Sequence, residues 1–162
     1  MAKPLQYPRQ WLPLDPYFLG LWLGDGTSLT ADISCHGDDA IETVKLIEDC
    51  GYAASVAPNG QKTGNGRLIR VRGARRWDST SPASLLAALG LRGNKHIPEA
   101  YLRGDIEQRM ALLAGLMDSD GHCDAWGRCE FTNTNRSLVL AVAELARSLG
   151  HSATTGLRKK AN

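Results

Sequence analysis

The hydrophobic pattern along this chain predicts two units that are built in the same order. Two apolar runs end in Asp-Gly, the first over residues 18–26 and the second over residues 113–121. Each run is followed by alternating apolar and polar positions, which are typical of strands, and then by apolar positions three or four apart, which are typical of a helix. The first unit continues into two more strands, around residues 53–57 and 68–72, and a closing helix. We therefore expect the order helix, strand pair, helix to occur twice.

Small residues recur four positions apart in both apolar runs. They are Gly20 and Gly24 in the first run, and Gly115 and Ser119 in the second. This spacing puts the two small residues of a run on one face of its helix, where they allow another backbone to come close. We therefore expect the two helices to pack against each other through these four residues.

Each apolar run ends in an aspartate, Asp25 in the first run and Asp120 in the second. A helix C-terminus carries a partial negative charge, so an aspartate there is unfavourable unless a cation is nearby. If the helices cross side by side, the two carboxylates can bind a divalent cation, and Mg²⁺ held by paired carboxylates suits phosphodiester chemistry. Asp-Gly is also a common turn after an ordinary core helix. That interpretation is favoured for a single copy, but two matching copies indicate a shared function.

The repeated run resembles the motif that names the LAGLIDADG homing endonucleases, and in particular the form found in intein endonuclease domains. Residues 113–121 depart little from that motif. Residues 20–28 resemble the form usual in inteins, with Leu23 in place of the first aspartate of the motif, which is not the catalytic position. Residues 94–98 resemble the lysine-bearing block of the same domains. The resemblance covers nearly the whole chain.

The resemblance implies both a fold and an activity. The fold would be α+β, a pseudo-twofold pair of αββαββα units whose two antiparallel sheets form a saddle over the major groove. The activity would be that of an intein-derived, site-specific endonuclease. It would act as a monomer and cut both strands of a long site in double-stranded DNA by Mg²⁺-assisted hydrolysis. Asp25 and Asp120 would be catalytic and would bind Mg²⁺, and Lys95 would orient the attacking water or stabilise the developing charge.

The repeat and the resemblance divide the chain into three segments. Residues 1–13 are rich in proline and are predicted to be an extended lead-in or linker. Residues 14–104 would form the first LAGLIDADG half, and residues 105–162 the second. The second half is shorter and is expected to be incomplete, because it lacks counterparts of the fourth strand and of the closing helix.

Alternation along the strands predicts the surface that would contact DNA. Arg70 and Arg72 alternate with aliphatic residues, so both guanidinium groups are expected on the exposed face. Arginines there can pair with guanine or bind phosphate, although a merely solvated strand face is the alternative. In the second half, Cys129 and Phe131 are expected to point inwards. The complete predicted DNA-binding set is Arg67, Arg70, Arg72, Arg75, Arg76, Arg128, Glu130 and Thr132.

Composition narrows the class of protein only slightly. The net charge of the 162 residues is +2, so the chain is not a polybasic protein that coats DNA. No apolar run is as long as a membrane span, and the N-terminus has no secretory signal, so an intracellular protein with no membrane partner is expected. The cysteines lack the close double spacing of a zinc site and are expected to be reduced core residues. The alternative is a zinc site that uses His122, Cys123 and Cys129.

Two other functions stay open from the sequence. The short second half is compatible with a catalytically inactive relic or regulator of the same fold that still binds DNA. An RNA maturase is the other alternative, and a higher affinity for RNA than for duplex DNA would distinguish it. The presence of Asp25, Asp120 and Lys95 argues for the endonuclease.

Overall fold

The computed structural model describes residues 2–58, 65–73 and 81–157, which form helices and short antiparallel strands. The helices are α1 (Pro16–Asp25), α2 (Ala40–Asp49), α3 (Pro82–Ala88), α4 (Glu99–Leu102), α5 (Ile106–Asp120) and α6 (Arg136–Ser148). The strands are β1 (Ile33–His36), β2 (Tyr52–Val56), β3 (Gly66–Gly73), β4 (Gly121–Cys123) and β5 (Cys129–Phe131).

This order confirms the α+β class and the repeated order of elements that the hydrophobic pattern predicts. Each Asp-Gly run forms a helix, α1 or α5, that ends at its aspartate. The strand pair expected after α1 is reduced to β1 and an isolated bridge between Gly26 and Ile33. The sequence pattern does not predict α4, because a single helical turn is too short to show a period.

Both sheets start beside the ends of α1 and α5. β1, β2 and β3 form one antiparallel sheet with β3 in the centre, where Ile69 lies opposite Ile33 and Val56. β4 and β5 form a separate antiparallel hairpin that begins at Gly121, directly after α5. A residue at a helix end is therefore next to the strands of its own unit.

The central element of the core is α1. Residues 18–23 are all buried, and the fully buried Trp22 donates its indole N–H to the carbonyl oxygen of Thr30 over 2.8 Å. Ile69 of the sheet and Leu116 of α5 belong to the same buried cluster. A helix that is covered on several sides is apolar all round, which explains why its sequence lacks a polar face.

The starts of α1 and α5 are fixed by similar caps. Asp15 accepts a hydrogen bond from the backbone N–H of Phe18 over 3.1 Å. Asp105 accepts from the backbone N–H of Gln108 over 2.8 Å, and the Gln108 side-chain oxygen accepts from the Asp105 N–H over 3.1 Å. Each such cap stabilises its helix by about 1 kcal/mol. The caps fix the residue at which each helix begins. They therefore also fix the position around the helix axis of the aspartate at its end.

The lead-in before α1 contains no helix or strand in its described part, residues 2–13, but it is fastened to the second unit. The Leu5 N–H donates to the Ser148 carbonyl oxygen over 2.9 Å. The fully buried guanidinium of Arg109 donates to the carbonyl oxygens of Leu5, of Gly104 over 2.9 Å and of Ser148 over 2.9 Å. Since a buried charge needs such partners, Arg109 ties together the lead-in, the start of α5 and the end of α6.

The expectation that all the cysteines are reduced core residues is wrong for two of them. Cys123 and Cys129 are exposed, lie opposite each other in β4 and β5, and form a disulfide. A sulfur in a disulfide is not a thiolate, so this pair does not form the alternative zinc site with His122. Cys35 and Cys50 are free and half-buried, and burial raises the pKa of Cys50 to about 12.

None of the helices in the described part of the chain is both long and apolar enough to cross a membrane.

Candidate active site

Helices α1 and α5 cross with their backbones in contact. A Cβ atom at Gly20 would overlap the carbonyl oxygen of Leu112, and a Cβ atom at Gly115 would overlap that of Tyr17. Glycine has no such atom, so the two helices approach as closely as their backbones permit. The crossing therefore depends on glycine at both positions.

The same crossing brings the aspartate ends of the helices together. Ser119 packs on Gly24, where a Cβ atom would overlap the serine hydroxyl and would lie 3.4 Å from the carboxyl carbon of Asp120. Asp25, which follows Gly24, is half-buried like Asp120. The two carboxylates therefore lie at neighbouring helix C-termini, where each adds to the negative end of a helix dipole.

The glycine after each aspartate lets the chain leave its helix directly as extended backbone. Gly26 and Gly121 have ψ angles of 149° and 161°, and their N–H groups donate to the carbonyl oxygens of Trp22 and Met117. A Cβ atom on either glycine would overlap the oxygen that accepts this bond. The Asp-Gly pair in each copy thus places a carboxylate at the last residue of a helix. β4 begins directly at Gly121, whereas Gly26 forms only an isolated bridge to Ile33.

Lys95 reaches the end of α1 from the loop between α3 and α4. Its ammonium donates to the carbonyl oxygens of Gly24 over 3.1 Å and of Gly26 over 2.7 Å, and lies 5.0 Å from the centre of the Trp22 ring. The last carbonyl groups of a helix have no partner within the helix, and a cation is favourable there. Lys95 therefore caps α1 on both sides of Asp25.

Opposing influences act on the Lys95 ammonium. Burial lowers its pKa, whereas the negative charges of Asp120 and Asp25 raise it, and the net pKa lies below the ordinary lysine value of 10.5. A carboxylate affects an ammonium in this way only at short range. The Lys95 ammonium is thus within electrostatic range of both aspartates.

Two amide side chains that sequence reasoning misses complete this cluster. The Asn133 amide donates to the Asp120 carboxylate over 2.5 Å, and its oxygen accepts from the Asn135 N–H over 2.8 Å. Asn135, the N-cap residue of α6, donates its own amide to the Lys95 carbonyl oxygen over 2.8 Å. Asparagine before a helix usually indicates a cap or turn, so neither residue points to a site. The sequence signal that could have identified these two residues is their position directly after the hairpin that begins next to Asp120.

Comparisons with known proteins agree with this architecture. The family described as homing endonuclease matches residues 96–162. The chain is 35% identical over 158 residues to the replicative DNA helicase DnaB of Mycobacterium intracellulare. It is 29% identical over 170 residues to the homothallic switching endonuclease of Saccharomyces cerevisiae. The crystal structure of I-DmoI in complex with DNA and Mn has the same fold, with a TM-score of 0.62 and 17% identity over 91% of this chain and 84% of that chain.

These matches support the resemblance to the LAGLIDADG homing endonucleases, in sequence over residues 96–162 and in fold over most of the chain. The match to the helicase covers 98% of this chain and 23% of the helicase. The match to the switching endonuclease covers 88% of this chain and 28% of that protein. The chain therefore spans about a quarter of the length of the curated relatives it matches.

The first half of the chain presents two of the predicted DNA-binding arginines on one surface. Arg70 and Arg72 are exposed on β3, and the aliphatic residues between and beside them are buried. Arg67 lies an odd number of residues before Arg70 and Arg72 on β3. It is half-buried and lies opposite Cys35 on β1. Alternation along a strand therefore places Arg67 on the other face of the sheet. The remaining predicted arginines of this half lie outside the described residues, and they are Arg75 and Arg76.

In the second half, the predicted alternation of exposed and buried residues along the strand is found at only some positions. Arg128, Glu130 and Thr132 are exposed, as is usual for polar residues at alternate positions. Phe131 is half-buried against the core, as expected, but Cys129 is exposed. The inward prediction for Cys129 is wrong because the strand pair is short there and the cysteine is bonded across the hairpin instead.

Proposed function

We propose that this domain is a site-specific DNA endonuclease that cuts both strands of its target. The observation that carries the proposal is the backbone contact between α1 and α5, which brings Asp25 and Asp120 to neighbouring helix ends. One carboxylate from each unit suits one cut in each strand. Two carboxylates at helix C-termini add to the negative ends of the helix dipoles, and the single Lys95 ammonium beside them balances only part of this charge.

The donor set at these helix ends fits Mg²⁺. This ion prefers oxygen ligands and is usually held by one or two carboxylates together with the phosphates of a substrate. Asp25 and Asp120 would supply the carboxylates, and within residues 2–58, 65–73 and 81–157 no third His, Cys, Asp or Glu converges with them. When bound, the ion would polarise the scissile phosphate and increase the acidity of the attacking water.

Lys95 and Asn133 are proposed to organise this pair. Lys95 fixes the end of α1 through its two carbonyl bonds and keeps a positive charge beside both aspartates, where negative charge develops on a reacting phosphate. Asn133 holds the orientation of the Asp120 carboxylate through its amide. Lys95 would therefore be a catalytic residue and Asn133 a positioning residue.

The exposed strand faces would provide the contacts to double-stranded DNA. Arg70 and Arg72 can form paired hydrogen bonds to guanine or bind phosphates. Arg128, Glu130 and Thr132 form a mixed polar surface, on which Glu130 can accept from the amino group of cytosine. Because one chain holds both aspartates, a monomer is sufficient for a double-strand break.

We also propose that the domain derives from an intein. Nearly the whole chain, 98%, corresponds to 23% of a replicative DNA helicase. An endonuclease domain that occupies a minor part of an otherwise unrelated replication protein is the arrangement that an intein produces. The presence of self-splicing segments on both sides of this domain in its gene product would test this origin.

The cleavage proposal is tested by a selection on a randomised duplex library with Mg²⁺, in parallel with the Asp25→Asn, Asp120→Asn double variant. Cut ends that are enriched only with the intact protein would support the proposal and reveal the target. Selective retention of duplexes without cutting, equal for both proteins, would contradict it and indicate a DNA-binding relic. Preferential retention of RNA would contradict it and indicate a maturase.

A further inference from the structure

The turn at the tip of the β4–β5 hairpin, residues 124–128, is ordered by its own hydrogen bonds. One carboxylate oxygen of Asp124 accepts from the backbone N–H groups of Trp126 and Arg128, both over 2.9 Å. The other oxygen accepts from the Arg128 guanidinium over 2.8 Å. Gly127 has φ 78°, a conformation that favours glycine, and donates its N–H to the Asp124 carbonyl oxygen over 3.0 Å. A single aspartate thus holds the whole turn.

This ordered turn presents a large apolar side chain to solvent. Trp126 is 85% exposed. The disulfide between Cys123 and Cys129 closes the turn at its base. A tryptophan buries roughly 150 to 250 Å² when it is covered, and a framework that is already ordered loses little entropy when it binds. The arrangement is typical of a side chain that contacts a partner.

The position of the turn indicates that this partner is the DNA target. β4 begins directly after Asp120, so Trp126 is reached along a single strand of the hairpin. A strand rises about 3.3 Å per residue and duplex DNA about 3.4 Å per base pair. Since only the three residues of β4 are extended strand, and the turn and the indole add a little more, the tip can reach roughly three to five base pairs from a phosphate bound at Asp120. Exposed polar residues lead back from the tip towards the site, and these are Arg128, Glu130 and Thr132.

We infer that Trp126 is a specificity residue of the proposed nuclease, and that its indole packs on a thymine methyl group in the major groove. The inference rests on the proposed function. Thymine presents an apolar group in the major groove, which matches the face of an indole. The contact needs no positive charge on the turn, where Arg128 is already paired with Asp124 over 2.8 Å.

The chain contains a matched control in Trp11, which is also 85% exposed. Trp11 lies beside Glu107 and Gln108, near the start of α5. That helix has 15 residues and is about 22 Å long, with Asp120 at its far end. The two tryptophans therefore have the same exposure but lie at opposite ends of the helix pair.

The test measures binding of the duplex found by the selection, in the Asp25→Asn, Asp120→Asn background so that cleavage does not consume it. We expect Trp126→Ala to weaken binding of this duplex by roughly 5- to 100-fold, and Trp11→Ala to leave it unchanged. Replacing single thymines by uracil removes only the methyl group. One replacement, roughly three to five base pairs from the cut, should weaken binding by the parent and by Trp11→Ala but not by Trp126→Ala. Thermal melting checks that both variants are folded.

Each other outcome has a defined meaning. Specific binding by the parent with equal affinities for Trp126→Ala and Trp11→Ala would overturn the inference and leave the proposed function standing. Weaker binding by Trp126→Ala without a uracil-sensitive position would overturn the thymine contact. If the parent were a dimer and Trp126→Ala a monomer with unchanged affinity for DNA, the inference would be overturned. The turn would then be assigned to contacts between copies of this chain. The absence of sequence-selective binding by the parent would overturn the proposed function itself.

Discussion

The side-chain amide of Asn133 donates to the carboxylate of Asp120 over 2.5 Å. The bond joins the last residue of α5 to the segment that returns from the β4–β5 hairpin. Asn135, two residues further on, binds the Lys95 loop. The second aspartate and the lysine are therefore oriented by neighbouring residues of the same short segment, so a change in that segment affects both.

Replacing Asn133 should slow the cut that depends on Asp120 more than the other cut. Asn133→Leu removes the donor, and Asn133→Asp removes it while keeping an oxygen for the Asn135 N–H. Because partners that orient a metal ligand typically contribute 10- to 100-fold, we expect a loss of roughly that size in the rate for one strand. Separate end labels on the two strands of the selected duplex would show accumulation of nicked product. Equal slowing of both strands by both variants would contradict a positioning role specific to Asp120.

Asp25→Asn and Asp120→Asn should each abolish the double-strand break. Each variant removes a proposed Mg²⁺ ligand and replaces it with a neutral group of nearly the same shape. The loss of a negative charge facing phosphate should leave DNA affinity equal or higher, so cleavage and binding should separate. Parallel cleavage and binding titrations on one duplex would measure this. Undiminished cutting by either variant would remove that aspartate from the catalytic assignment.

Gly20→Ala and Gly115→Ala should each destabilise the fold by about 3 kcal/mol or more, since the new methyl group meets backbone that cannot rotate away. Gly156→Ala is the matched control, because nothing lies within 4 Å of a Cβ atom there and its φ is not positive. Denaturant titration of the three variants gives the free energies of unfolding. If Gly20→Ala were as stable as Gly156→Ala, the helix crossing would be wider than the one described.

Arg70→Ala or Arg72→Ala should weaken binding of the preferred duplex by about 1–3 kcal/mol if the side chain contacts bases. Arg9→Ala removes the same charge from an exposed side chain that is paired with Asp105 and Glu107 near the start of α5, and it should have little effect. Competition between the preferred duplex and a scrambled duplex separates the two kinds of contact. A uniform loss on both duplexes would assign the arginines to phosphate instead.

Thiol labelling should distinguish the two pairs of cysteines. The thiolate is the reactive form, and burial raises the pKa of Cys50 to about 12 and also raises that of Cys35, so both should react slowly near pH 8. Cys123 and Cys129 should not react until a dithiol reductant has opened their disulfide, and should then react quickly because they are exposed. Mass spectrometry of the labelled peptides before and after reduction would show the order. Labelling of Cys123 without reductant would show that the pair is present as two thiols.

The sequence predicts those parts of the fold that depend on local periodicity and on the repeat. The ends of α1 and α5 at Asp25 and Asp120 follow from apolar runs that stop at Asp-Gly. The position of Lys95 is accessible only through family resemblance, because its two hydrogen-bond acceptors lie about seventy residues away in the chain. Local pattern carries no information about a contact across that separation.

The details of the second half are harder to predict, for a different physical reason. Whether Cys123 meets Cys129 depends on the register of the hairpin, and a shift of one residue would send the two side chains to opposite faces. Asn133 likewise becomes part of the site only when the hairpin has returned the chain to the end of α5. Its residue type alone suits a turn equally well.

The contact of Gly20 and Gly115 with the opposite helix also bears on the shape of the reaction product. Backbone meets backbone at the crossing, and nearer the helix ends the short Ser119 side chain packs on Gly24, so the separation of the helix ends has little freedom to adjust. In the proposed nuclease each helix end serves one DNA strand, so this separation determines the stagger between the two breaks. The length of the single-stranded overhangs is therefore set in the protein core, independently of the surface residues that choose the target sequence.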